Sequence, residues 1–181
     1  MTQTRQRLFL LFLALVCALP LALSYLTYYV WKPERTMNYG EMMDMRSVPL
    51  PTEWLQAPRQ DVLQGKWVLL QIGSGQCPAA CEARLYAMRQ LRLAMGVKQG
   101  KIAMLWAVDD AQAPPPALLA QHPDLVLARR PDVWAAVLPQ PDANRIYLVD
   151  PSGRLVLRYP EQPDPARMIR DVARLLDVKR M

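Results

Sequence analysis

Lys66-Trp-Val-Leu-Leu-Gln-Ile-Gly-Ser-Gly-Gln-Cys77-Pro-Ala-Ala-Cys81 is the stretch from which the rest of the chain can be read. Trp67 to Ile72 is a short, mostly apolar run behind Gly65-Lys66, the pattern of an interior strand covered on both faces. Gly73-Ser-Gly-Gln76 ends it. Pro78 fits the first turn of a helix, so the spacing predicts a helix that starts there and carries Cys77 at its N-terminus. Unpaired amide N-H groups and the macrodipole at that end favour a thiolate over a thiol, which lowers the cysteine pKa and makes Cys77 the better nucleophile. Cys81 lies one helical turn deeper. The two sulfurs are then close enough either to bridge or to share a soft metal ion. The alternative, that the two cysteines only fill space beneath a helix, stays open. Three intervening residues also set the pair apart from the common two-residue dithiol spacing.

Downstream, Leu85, Met88, Leu91 and Met95 recur at helical spacing, and Gly96 and Gly100 close that helix. Ile102 to Val108 reads as a second buried strand, parallel to the first through a right-handed crossover. Asp109-Asp110 ends it, and Pro114-Pro115-Pro116 forbids a continuous helix until Ala117, after which a short helix runs to Gln121. His122, the only histidine, could serve as a metal ligand or proton carrier, or as a plain polar cap at a helix end. Leu125 to Leu127 is a short strand candidate and Asp132 to Leu138 a short helix. Arg145 to Asp150 and Arg154 to Tyr159 are two strands joined by Pro151-Ser-Gly153, a hairpin that closes the sheet antiparallel. Asp164-Pro165 supplies an N-cap with proline behind it, and Met168, Ile169, Val172, Leu175 and Leu176 form one apolar stripe for packing on the sheet. The expectation is an α/β domain with a central mixed sheet and flanking helices.

Upstream lies a different kind of sequence. The chain has 181 residues, room for one membrane segment and one domain of ordinary size. Leu8 to Trp31 contains no charged residue and exceeds the ~20 residues needed to cross the hydrocarbon core. A cleaved signal peptide is the competing reading, with Ala22-Leu-Ser24 as a poor cleavage site, but the uncharged run continues well past a usual signal core. Residues 8–31 are therefore expected to be an uncleaved transmembrane anchor in contact with lipid. Tyr25, Tyr28, Tyr29 and Trp31 cluster at its far end, where amphipathic rings settle at the lipid-water interface. Residues 1–7 are basic without an acidic side chain, which predicts a cytoplasmic tail and an outward placement from about residue 32 onward. Cys17, inside the apolar run, reads as a lipid-facing or packing residue.

Pro33 to Pro58 mixes Pro, Met, Gly and charges without a helical or strand period, so residues 32–60 read as a tether and wrapping arm. Trp54 and Leu55 are its expected anchors on the domain. Met37, Met42, Met43 and Met45 crowd together there; thioethers are soft ligands, and they are also common packing residues. The formal charge of +6 comes from dispersed basic residues with no aromatic interleaving, which argues against a nucleic-acid partner and for a solvated surface.

Strand, dithiol at a helix start, helix, strand, later hairpin and final helix is an order that resembles the thioredoxin-like superfamily from about Gln64 to Asp177. Within it, the chain resembles the Sco/SenC family of cytochrome c oxidase assembly proteins. The residues that carry this are Gly73 four before the first cysteine, Cys77-Pro78, Cys81 at the three-residue spacing, and Tyr147-Leu-Val-Asp-Pro151 ahead of the hairpin. The resemblance implies a thioredoxin-like domain at residues 61–181, held in the periplasm by a single-pass anchor in the bacterial inner membrane. Its implied partner is a respiratory oxidase subunit or another periplasmic thiol protein. Its implied role is to deliver copper to, or reduce the cysteines of, the dinuclear copper site of the oxidase. The family's third copper ligand is a histidine, and the matching position here is Asp142; Glu82 and Ser74 likewise stand where relatives carry a proline and an aromatic residue.

Three functions follow as expectations. In the leading one, thiol-disulfide exchange, Cys77 attacks a partner disulfide and Cys81 resolves the mixed disulfide. In the second, Cys77 and Cys81 are copper(I) ligands of a chaperone, with Asp142, His122 or an arm methionine as third donor. In the third, the cysteines form a static bridge in a structural assembly factor.

Overall fold

A computed structural model of the chain describes residues 3–30, 38–56, 60–138 and 144–177. The chain divides into two units, Met1–Met37 and Asn38–Met181. The described residues of the first unit before position 31 form a single helix, α1 (Gln3–Val30), with Pro20 inside it. Its segment Arg7–Leu26 has a mean hydropathy of 2.5 and exposed side chains, long and apolar enough to cross a membrane. Trp31, the expected end of the anchor, lies outside the described residues, as does Met37.

The second unit is built on a six-stranded sheet: β1 (Glu41–Met42), β2 (Trp67–Gly73), β3 (Ile102–Val108), β4 (Leu125–Arg129), β5 (Ile146–Val149) and β6 (Leu155–Arg158). The spatial order is β1-β6-β5-β2-β3-β4. β3 pairs parallel with β2 and with β4, whereas β5 pairs antiparallel with β2 and with β6. β2 and β3 carry no charged side chain and are buried almost throughout, which is why they take the interior of a sheet covered on both faces.

Alternation sorts the side chains into two cores. Leu69, Met104, Trp106, Leu127 and Leu148 face the helices α3 (Ala79–Ala94) and α5 (Pro165–Asp177), meeting Leu85, Met88, Leu91, Met168 and Val172. Val68, Leu70, Leu105, Val126 and Tyr147 face the other way, onto Trp134 and the arm residues Val48 and Leu50. Asp164 caps α5, its Oδ1 accepting the Ala166 N-H at 2.9 Å. Two short helices, α2 (Gln60–Leu63) and α4 (Pro116–Gln121), complete the unit. Asp132 to Leu138, expected as a short helix, instead forms a 3-10 helix over Asp132–Ala136.

The arm is more ordered than its sequence suggests. Glu41 and Met42 pair antiparallel with β6, Ser47 bridges Arg154, and Trp54 bridges Ala128 on the opposite edge strand. A two-residue strand has no periodicity of its own to read; the open edge of β6 supplies its hydrogen-bond pattern. Met43 packs into the second core, while Met42 and Met45 are exposed. The arm's start is clasped by Asp171 of α5, whose buried carboxylate accepts the Tyr39 N-H at 3.0 Å and the Gly40 N-H at 2.8 Å. Trp54 and Leu55 anchor its far end, the Leu55 N-H donating to Leu127 O.

Candidate functional site

β2 ends at Gly73, and the chain turns through Ser74, Gly75 and Gln76 to reach Cys77. The Cys77 N-H donates to Ser74 O at 3.1 Å, closing the turn, and Ser74 Oγ accepts the Gln76 N-H at 3.1 Å. Cys77 adopts φ +47°, the left-handed region, and among the described residues it is the one non-glycine to do so. Such a conformation costs of order 1 kcal/mol or more, and strain of this kind gathers at functional sites.

Pro78 follows with an extended ψ of 167° and takes the N-cap position, so α3 begins at Ala79. The helix therefore starts one residue later than its proline suggests. Cys77 lies outside it, and Cys81 lies inside its first turn, with its N-H donating to Pro78 O at 2.7 Å. The two cysteines are joined in a disulfide with their Cα atoms 5.0 Å apart. Both are buried, at 3% and 2% exposure, beneath the exposed residues Gln76, Pro78, Ala79 and Ala80.

The turn is held from the side by the loop after β3. Asp110 Oδ1 accepts the N-H groups of Gly75 and Gln112, each at 3.0 Å, and Arg129 donates to the Asp110 carbonyl oxygen. A hydrogen bond from Ser74 first, and then the one from Gly75, hold the Asp110 carboxyl below the usual carboxylate range.

From below, the site is closed by Gln71, on β2 between Trp106 and Ile146 of the neighbouring strands. Its side chain is fully buried, with Nε2 3.0 Å from Cys81 Sγ and 3.5 Å from Cys81 O. Both neighbours are acceptors, which fixes the amide with its N-H groups toward the cysteine. Gln71 Oε1 has no partner among the described residues. Arg84, three residues beyond Cys81 on the buried face of α3, has its Nε and Nη1 atoms buried without partners among the described residues. Burial lowers the pKa of its guanidinium, opposed by Glu161. Neither residue is singled out by the sequence reading. The available signal is a polar side chain within an apolar strand, and an arginine within an apolar helical stripe.

The structure thus brings Cys77 and Cys81 together. His122 takes the C-cap of α4 through its backbone, the N-H donating to Leu119 O, while its buried Nδ1 has no partner among the described residues. Among the described residues, no group of three or more His, Cys, Asp and Glu side chains converges in a metal-binding arrangement, and Asp142 lies outside the described residues.

A family described as a transmembrane-like, thioredoxin-like C-terminal domain matches residues 67–179. None of the curated proteins compared with the chain matches it. Among solved structures, apo Sco1 from Thermus thermophilus is 20% identical with a TM-score of 0.58, covering 76% of this chain and 96% of its own. Copper-bound yeast Sco1 is 19% identical with a TM-score of 0.54, covering 65% and 82%. The thioredoxin domain of a thiol-disulfide oxidoreductase from Bacteroides vulgatus is 16% identical with a TM-score of 0.51, covering 75% and 99%. The fold is thioredoxin-like, a mixed sheet with flanking helices, and Sco proteins and oxidoreductases are both among its structural neighbours.

Proposed function

The chain belongs to the transmembrane-like, thioredoxin-like C-terminal domain family, and from that footing we propose that it is a membrane-anchored thiol-disulfide exchange protein acting through Cys77 and Cys81. In this reading residues 1–7 are cytoplasmic, residues 8–31 span the bacterial inner membrane, residues 32–60 tether and wrap, and residues 61–181 work in the periplasm. The observation that carries it is the Cys77–Cys81 disulfide, set between a strained turn and the first turn of a helix and touched by a buried hydrogen-bond donor.

In the reduced protein the Cys77 thiolate attacks a sulfur of the partner's disulfide; that bond breaks, one partner thiolate leaves, and a mixed disulfide forms. The Cys81 thiolate then attacks Cys77 Sγ, the mixed disulfide breaks, and the second partner thiolate leaves and takes a proton from solvent. The partner is reduced by two electrons and this chain is left as the disulfide. The resemblance to Sco proteins makes the cysteines of the copper site of a respiratory oxidase subunit the proposed substrate, with another periplasmic thiol protein as the alternative.

The test is the reduction potential of the pair in the full-length protein in detergent, with Cys17→Ala so that only two thiols titrate. A potential above roughly −300 mV fits exchange, and one well below it fits a static structural bridge. A static bridge is the third reading, in which the domain only docks on its partner.

A second reading has one observation in its favour: the copper-bound yeast neighbour has this fold. Reduced Cys77 and Cys81 supply two soft donors suited to cuprous copper, which is cargo in this reading. Asp142 is a harder ligand than a histidine at the same position. Asp142→His is therefore expected to strengthen cuprous copper binding in competition with a chelator, and equal affinities would remove Asp142 from the ligand set.

A further inference from the structure

From the contact between Gln71 and the disulfide we infer that Gln71 is a positioning residue for Cys81: its amide donates to the Cys81 thiolate whenever the disulfide opens, making Cys81 the leaving sulfur and Cys77 the sulfur that partners attack. This rests on the exchange reading above.

An amide in the middle strand of a sheet, with no exposed surface, is costly unless it is hydrogen-bonded. Leu69 and Ile72 show what that strand otherwise carries. Yet Gln71 has Cys81 as its contact, through Sγ at 3.0 Å and O at 3.5 Å, and its Oε1 is left without a partner among the described residues. The amide is thus kept at a site where an apolar side chain would avoid that penalty, with its donor end on one sulfur.

A hydrogen bond to a neutral disulfide sulfur is weak, whereas one to a thiolate is charge-assisted and about twice as strong as a neutral one. The gain from Gln71 therefore falls mainly on the opened state. The amide is also neutral, so it neither repels the anion nor competes for its proton. Among the described residues, Cys81 Sγ and not Cys77 Sγ receives a side-chain hydrogen bond.

An incoming thiolate attacks Cys77 Sγ and a new S-S bond forms there, while the Cys77–Cys81 bond breaks. Its electron pair stays on Cys81 Sγ, which accepts the Gln71 Nε2-H. In reverse, the same positioned thiolate attacks Cys77 Sγ and expels the partner.

The experiment uses the full-length protein with Cys17→Ala in detergent, and dithiothreitol as the reductant. Gln71→Met keeps the bulk and removes the donor. It is expected to slow reduction roughly tenfold and to raise the Cys81 thiol pKa by about one unit, read from alkylation mapped by mass spectrometry across pH. Gln71→Glu restores a donor only while its carboxyl is protonated, and burial raises that pKa. Its rate relative to wild type should be near one at low pH and fall as pH rises, a profile that a role in packing alone would not produce. A Gln71→Met protein with unchanged rate and unchanged Cys81 pKa overturns the inference. Should Gln71→Met fail to fold, a Gln71→Glu rate ratio that is flat with pH overturns it instead. A wild-type disulfide that dithiothreitol does not open in the folded protein sinks the exchange reading itself, and this inference with it.

Discussion

Gly75 and Gln112 are packed so closely that a Cβ at position 75 would stand 2.0 Å from the Gln112 carbonyl oxygen and 2.7 Å from its carbon. The obstacle is backbone, so no rotamer change relieves it. The cysteine turn is seated directly on the loop after β3, with Asp110 bonding both segments. Gly75→Ala should destabilise the protein by about 1–3 kcal/mol, the usual range for forced overpacking, and should free the turn. Denaturant midpoints and amide exchange at Gln76 and Cys77 would register both. An unchanged midpoint with unchanged exchange would mean that the loop yields at little cost.

Arg84 gives a prediction of opposite sign. A buried guanidinium with two nitrogens that lack partners among the described residues is a weak contributor to stability, and an apolar side chain of similar length removes its desolvation penalty. Arg84→Met should leave stability unchanged or raise it by about 1–2 kcal/mol. The same change removes a positive charge one helical turn from Cys81, so the disulfide should become harder to reduce. Thermal unfolding and a redox titration on one preparation separate the two effects, and a variant that is both less stable and equally reducible contradicts the account.

His122 sets a pH dependence. Burial first, and then the charge of Arg89, hold its imidazole below the ordinary histidine value of 6.5. The unfolded chain then binds the proton more readily than the folded one, so this contribution to stability is complete above pH 6.5 and shrinks as pH falls from there toward the folded pKa. Urea midpoints at pH 7.5 and 5.5 should drop for the wild type and drop less for His122→Leu. Equal drops would assign the effect to other groups.

Asp171 ties the arm to α5 through two main-chain N-H groups, and Asp171→Ala leaves both without an acceptor. The expected loss is on the order of 2 kcal/mol, since hydrogen bonds to a charged group are worth more than neutral ones. Limited proteolysis should then cut within residues 38–56 faster than in the wild type. Loss of stability without faster cutting would show that the clasp serves α5 and not the arm.

The strand, turn and helix from Trp67 to Ala94 were legible because apolar runs, Gly73 and Gly75 punctuate them and Pro78 marks the helix start to within one residue. The hairpin around Gly153, at φ +79°, and the cap at Asp164 were legible for the same reason. What could not be read is tertiary. Whether Pro78 begins the helix or caps it depends on one ψ angle, and that angle moves Cys77 out of the helix. The strand at Glu41–Met42 borrows its pattern from β6. Gln71 counts as one polar residue in an apolar run until the fold sets α3 above it, and only then does its contact with Cys81 exist.

The arm's pairing also dictates the order of events as the protein is made. Glu41 meets Arg158, a residue 117 positions later. At ribosomal rates of roughly 5–20 residues per second, the segment after the apolar helix is synthesised about 6–23 s before its partner strand. Throughout that interval the sheet has neither its β6 edge nor the α5 carboxylate that grips Tyr39 and Gly40. The first-made strand of this domain thus waits longest for its partners, and the cysteine turn is synthesised while that strand is still unpaired.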